Sequence, residues 1–153
     1  MANTFTQMYV QIVFAVQGRG NLIPEKRRDE LEKYICGIIN KQKSKPLAIY
    51  CNPDHIHILL GLHPTSAVSD LTRIIKANSS KFINEQRWLR GKFGWQEGFG
   101  AFTYSKSHID AVIMYILNQL IHHRKKTFRE EYLQILKQFQ IDYDNRYVFE
   151  WYD

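Results

Sequence analysis

The chain is poor in cysteine, with two in 153 residues. No CxxC spacing occurs, so Cys36 and Cys51 suggest neither a disulfide framework nor a zinc ribbon. They read instead as two buried thiols in a reducing compartment. Long apolar runs are missing as well. The run at residues 112–117 is far short of the about twenty residues that a membrane helix needs. The first six residues lack a basic region ahead of an apolar core, the mark of a secretory signal, so a cytoplasmic location is expected. Acidic residues are the scarcer charge, 15 Asp+Glu against 21 Lys+Arg, a formal charge of +6. That balance permits a polyanionic partner. Internal repeats, low-complexity stretches and linkers are lacking too, and the length suits one domain spanning residues 1–153.

Alternation in residues 4–17 predicts a strand, with Met8, Val10, Ile12, Phe14 and Val16 on one face. Gly18, Arg19, Gly20 and Asn21 break it. Pro24 opens a helix of about twenty residues, striped by Leu31, Tyr34, Ile35, Ile38 and Ile39. Residues 47–51 and 56–62 read as strands joined by Asn52-Pro53-Asp54, which is turn chemistry. A helix follows at about 67–86. After a loop rich in glycine, Trp and Phe, residues 99–104 give a fourth strand. Ser107 and Asp110 then suit the start of a helix reaching about residue 126, with another at 128–139. The tail from residue 141 holds five aromatics and is expected to pack on the body or a partner. The order β-α-β-β-α-β predicts an α+β, ferredoxin-like fold: an antiparallel sheet, helices on one face, and a further helix bearing Tyr115.

Three features carry chemistry. His55 and His57 are i and i+2 on a strand, so they share a face about 7 Å apart and can reach one metal ion while Ile56 enters the core. Tyr115 and Gln119, i and i+4, share a helix face with Asn118 and His122, and Ile109, Val112, Ile113, Ile116 and Leu120 form the opposite, core-facing arc. Basic residues crowd the second helix and the loop after it: Arg73, Lys76, Lys81, Arg87, Arg90 and Lys92, interleaved with Trp88, Phe93 and Trp95. Arg124, Lys125, Lys126 and Arg129 follow the Tyr115 helix. Such groups suit a nucleic-acid backbone and unstacked bases. Together they suggest one reaction. A metal on His55 and His57 polarises a phosphodiester. The Tyr115 oxygen attacks it and displaces a 3′ hydroxyl. Gln119 could complete the metal shell. A zinc hydrolase using His55, His57 and Cys51 would need a general base, for which only Asp54 offers itself.

The run from Asn52 to Leu60 resembles the His-hydrophobe-His motif of the HUH single-tyrosine transposases of small insertion sequences, which include the REP-associated tyrosine transposases. Residues 95–102 resemble the family's loop before the catalytic helix, and residues 115–119 with His122-His123 resemble that helix. The likeness runs from about residue 5 to 132. It implies that His55, His57 and Gln119 bind Mg²⁺ or Mn²⁺ and that Tyr115 forms a 5′-phosphotyrosine. It also implies a single-stranded DNA substrate with hairpin ends, and a homodimer. Little chain follows Tyr132, so an added domain is not expected. Arg73, Lys76, Lys81, Arg87, Arg124 and Lys125 are the expected DNA contacts. His122 and His123 either touch DNA or close the helix favourably. The competing reading is a hairpin-binding repressor without strand transfer.

Overall fold

The computed structural model describes residues 3–18, 22–123 and 125–151. Four strands form one antiparallel sheet in the order β2-β3-β1-β4: β1 (Tyr9–Ala15), β2 (Lys45–Cys51), β3 (His55–Gly61) and β4 (Gly100–Tyr104). Helices α1 (Arg28–Lys41) and α2 (Val68–Gln86) connect them, and α3 (Ile109–Leu117), α4 (Gln119–His122) and α5 (Phe128–Gln138) follow. The sequence predicts this α+β order and these four strands. Among the described residues no helix is long and apolar enough to cross a membrane.

Period-two patterning sorts the side chains of the central strands. Val10, Ile12 and Phe14 of β1 and Ile56, Ile58 and Leu60 of β3 meet Leu31, Ile35 and Ile39 of α1 and Leu71, Ile75 and Ile83 of α2. Each fully buried Ile or Leu contributes about 1.5–3 kcal/mol. The other face is covered too, by two smaller clusters. Val13, Ala15 and Phe102 pack under Phe128, Tyr132, Ile135 and Leu136 of α5 and Phe149 of the tail. Ala48 and Leu59 pack under Ile109, Val112 and Ile116 of α3. Gly100 sits where this face is tightest: a Cβ there would run into the Tyr132 hydroxyl and lie 2.9 Å from the Phe102 ring.

Several local expectations are corrected. Pro24 leads into a 3-10 turn at Glu25–Arg27, and the α-helix begins only at Arg28. The helix bearing Tyr115 starts as a 3-10 turn at Lys106–His108, with Ser105 rather than Ser107 at its N-cap. It stops at Leu117, and α4 begins after Asn118. Leu120 is 49% exposed, although the uninterrupted spacing puts it in the core. Phe93 is buried and Trp95 packs edge-on against both Phe14 and Phe93, so these two aromatics serve the core. Cys51 is buried but Cys36 only half so. In the tail Phe149 is buried, while Tyr147 is exposed. Most of the break expected at 18–21 lies outside the described residues, as does Arg124.

Candidate active site

The second face of the sheet is split by a buried polar strip. His55 and His57 are both 0% exposed and project from β3 on the side opposite Ile56. The turn before them is closed by the Asn52 N–H donating to the His55 carbonyl, 2.8 Å. Its side chains are drawn into the site. Asn52 Nδ2 donates to Gln119 Oε1 at 3.1 Å, and Asp54 Oδ1 lies 2.7 Å from His55 Nδ1. Phe128 stacks on the His55 ring, centroids 3.9 Å apart.

Two residues that the sequence does not single out as ligands complete the cluster. Glu131 of α5 is 4% exposed, and its Oε1 lies 3.3 Å from His55 Nε2, 3.0 Å from His57 Nε2 and 3.1 Å from His123 Nε2. His55, His57, His123 and Glu131 offer ligand atoms all within 4.8 Å of one another. Gln119 lies among them: its Oε1 is 2.9 Å from His123 Nε2 and its Nε2 donates to Glu131 Oε2 at 3.2 Å. The Tyr115 hydroxyl donates to that same Oε2. Tyr115, His55, His57 and Gln119 thus meet within one chain.

The proton inventory of this cluster fits a cation. A neutral imidazole carries one N–H. His123 Nδ1 lies 3.0 Å from the Lys126 carbonyl, which can only accept, so the proton belongs there. His123 Nε2 then points a lone pair at the oxygens of Glu131 and Gln119. His55 repeats the pattern, with Nδ1 on Asp54 and Nε2 toward Glu131, where Asn52 Nδ2 stands 3.2 Å away. Lone pairs meeting oxygens need a second proton or a metal between them. Metal-ligating histidines characteristically donate their other N–H to a carboxylate or carbonyl. At His57, Tyr104 donates to Gln11 Oε1 at 2.6 Å and Gln11 Nε2 stands 2.9 Å from His57 Nδ1. Turning the Gln11 amide over would reverse this relay and free His57 Nε2 to ligate.

Charge follows the same geometry. Burial alone would raise the Glu131 pKa, but hydrogen bonds from His123, His55 and His57 outweigh it and hold the carboxyl far below its usual range. Burial depresses His55, and its bonds to Asp54 and Glu131 overcome this and raise it. At His57 burial prevails and the pKa is lowered. Burial, then the Glu131 charge, pushes the Tyr115 hydroxyl well above its ordinary value.

Other candidates fall elsewhere. Cys51 belongs to the core under α1 and α2, across the sheet from the histidines, so it cannot join them. Lys76 donates to the Gln96 carbonyl at 2.9 Å and to that of Gly98, and so ties α2 to the glycine-rich loop. Arg73, Lys81, Arg87 and Lys125 are exposed, and Lys81 stands 3.9 Å from Glu85. His63 is a loop residue, bonded to Thr65. His122 lies beside Tyr115, ring centroids 4.6 Å apart.

The sequence profile of the family described as "Transposase IS200 like" matches residues 4–119. No curated protein matches the chain. Among solved structures, a candidate transposase from Deinococcus radiodurans R1 superposes with a TM-score of 0.60 at 20% identity, over 78% of this chain and 95% of that one. A REP-associated tyrosine transposase bound to a REP hairpin also gives 0.60, at 15% identity, over 80% of this chain and 73% of the other. At such identities the likeness speaks for the fold.

Proposed function

We propose, from the premise that this chain belongs to the IS200-like transposase family, that it cuts and rejoins single-stranded DNA through Tyr115. One observation carries the reading. The Tyr115 hydroxyl and the imidazole cluster share a single buried carboxylate, Glu131. A nucleophile and a cation site joined in this way suit attack on a phosphodiester. The phenolic oxygen bonds to phosphorus, the bond from phosphorus to the 3′ oxygen breaks, and the strand leaves with a 3′ hydroxyl. Glu131 already accepts the phenolic hydrogen bond and so aims the oxygen; the phenolic proton ends on the departing 3′ oxygen by way of solvent. The 5′-phosphotyrosine conserves the ester, so a DNA hydroxyl can reverse the step.

His55, His57 and His123 with Glu131 would hold the metal, with Gln119 beside them. A bound divalent ion would supply Lewis-acid stabilisation of the phosphoryl oxygen. Three imidazoles suit Mn²⁺ or another transition ion better than Mg²⁺, which prefers oxygen ligands. Incubating the protein with labelled hairpin-bearing single strands and Mn²⁺ or Mg²⁺ should give a covalent product that survives a denaturing gel and vanishes with EDTA. A protein that binds the hairpin without ever forming this product would be the repressor instead. Arg73, Lys81, Arg87 and Lys125 are the cations we assign to the DNA backbone, with Arg124 beside Lys125 in sequence.

We assign the homodimer contact to a second surface. Met114, Leu117, Leu120 and Ile121 of α3 and α4 are each about half exposed or more. Singly exposed apolar residues are ordinary, but a contiguous apolar patch marks an interface. Leu117→Lys should convert a dimer to a monomer in sedimentation velocity; a monomeric wild-type protein would remove the proposal.

A further inference from the structure

A cavity of about 400 Å³ lies between α3 and α5, and Tyr115 and Glu131 form part of its wall. We propose that it is a nucleotide subsite, holding the unpaired base next to the phosphate that Tyr115 attacks. The inference rests on the strand-transfer reading and adds a substrate contact to it. Small-molecule sites occupy roughly 300–1,000 Å³ and combine apolar walls with a few polar groups that fix orientation. Here Val112 and Ile135 are the buried apolar lining. Ala111 leaves room on the α3 side. Gln134 and Gln138, one turn apart on α5, bring two side-chain amides to the lining. An amide carries both donors and an acceptor, the equipment needed to read the edge of an unstacked base. The flat rings of Tyr104 and His122 also line the cavity, and aromatic faces stack with any base.

Position decides what the occupant is. A phosphate brought to the Tyr115 oxygen carries a sugar and base on each side, and Tyr115 and its hydrogen-bond partner Glu131 both line this cavity. Lys125 and Lys126 belong to the same lining and supply cations for the phosphates flanking the base. A hydrophobic ligand of the same size would have no use for that pair. Gln134 Oε1 already accepts from Lys126 Nζ, so the cation and the base-reading amide are coupled. Ala111, Gln134 and Gln138 are all exposed, so replacing them tests the cavity without opening the core.

The test uses the Tyr115→Phe protein, which separates binding from strand transfer, and the four deoxynucleoside 5′-monophosphates as probes. In NMR titration the side-chain amides of Gln134 and Gln138 should shift, with one base favoured about tenfold over the weakest. Deoxyribose 5-phosphate, which lacks a base, should not move them. Ala111→Trp should abolish the shifts by filling the cavity, and Gln138→Leu should flatten the base preference while leaving binding measurable. Equal shifts from the sugar phosphate, or full binding by Ala111→Trp, would overturn the subsite, as would no shift at millimolar nucleotide. Covalent attachment by the wild-type protein is scored separately, so a subsite failure is distinguishable from failure of the transferase reading.

Discussion

Tyr115→Phe should lose covalent attachment to DNA by at least about 10³-fold, since removing a catalytic nucleophile commonly costs that or more. Hairpin binding, read by fluorescence anisotropy, should stay within about twofold because the ring is kept. The lost hydroxyl removes one hydrogen bond to Glu131, typically about 1 kcal/mol net. Glu131 keeps its histidine partners, so the fold should survive. The neighbouring phenols are poor substitutes. Tyr104 already donates to Gln11, and Tyr132 packs in the apolar cluster under α5. An adduct of undiminished yield on the Phe protein would show that the nucleophile lies elsewhere.

Glu131→Gln should weaken Mn²⁺ binding by about 10–100-fold, the range seen when a partner of a metal site is lost. The variant keeps the volume and removes the charge. Two effects oppose each other. Without the carboxylate, protons are held less tightly at His55, which helps the metal compete; but the anion that all three imidazoles share is gone, and that loss is the larger. Calorimetry at pH 7.5 gives the affinity directly, and an unchanged Kd would remove Glu131 from the ligand set. Metal binding to the wild-type protein should also fall as pH drops below about 6.5, where imidazoles protonate. His55 should be protonated ahead of His57, because its pKa is raised and that of His57 is lowered. Glu131 behaves in the opposite sense. Its folded pKa is depressed, so its stabilising contribution is present above the unfolded carboxyl value near 4.3 and persists on acidification until the folded value is reached.

Both tests bear on what could be read from the chain. Period-two alternation in β1 and β3 puts His55 and His57 on one face because a strand has no other choice. Tyr115 and Gln119 are one helical turn apart, and that spacing survives the break at Asn118. Glu131 is harder to see. It follows Glu130, which belongs to a capping box with Thr127, and two acids in a first helical turn look like ordinary partners of the helix dipole. The available signal is the i, i+3, i+4, i+7 stripe of Phe128, Glu131, Tyr132 and Ile135, in which one acid stands among apolar residues. His123 likewise continues the Tyr115, Gln119 spacing by four more residues. The break at Asn118 is less legible: the segment reads as continuous helix, and nothing but its backbone angles ends it. Lys76 has a contact that its charge does not advertise, since its length lets it reach the loop carbonyls of Gln96 and Gly98.

Two separate apolar clusters on the second face of the sheet have a mechanical consequence. One anchors α3, the other α5; among the described residues Tyr104 alone borders both, and the polar strip lies between. The bonds from Tyr115, Gln119 and His123 to Glu131 are what tie the one helix to the other across that strip. The larger core beneath α1 and α2 need not yield at all. Sub-global opening of this kind costs less than whole-chain unfolding. Parting the outer layer would therefore break this polar tie and leave the scaffold shut.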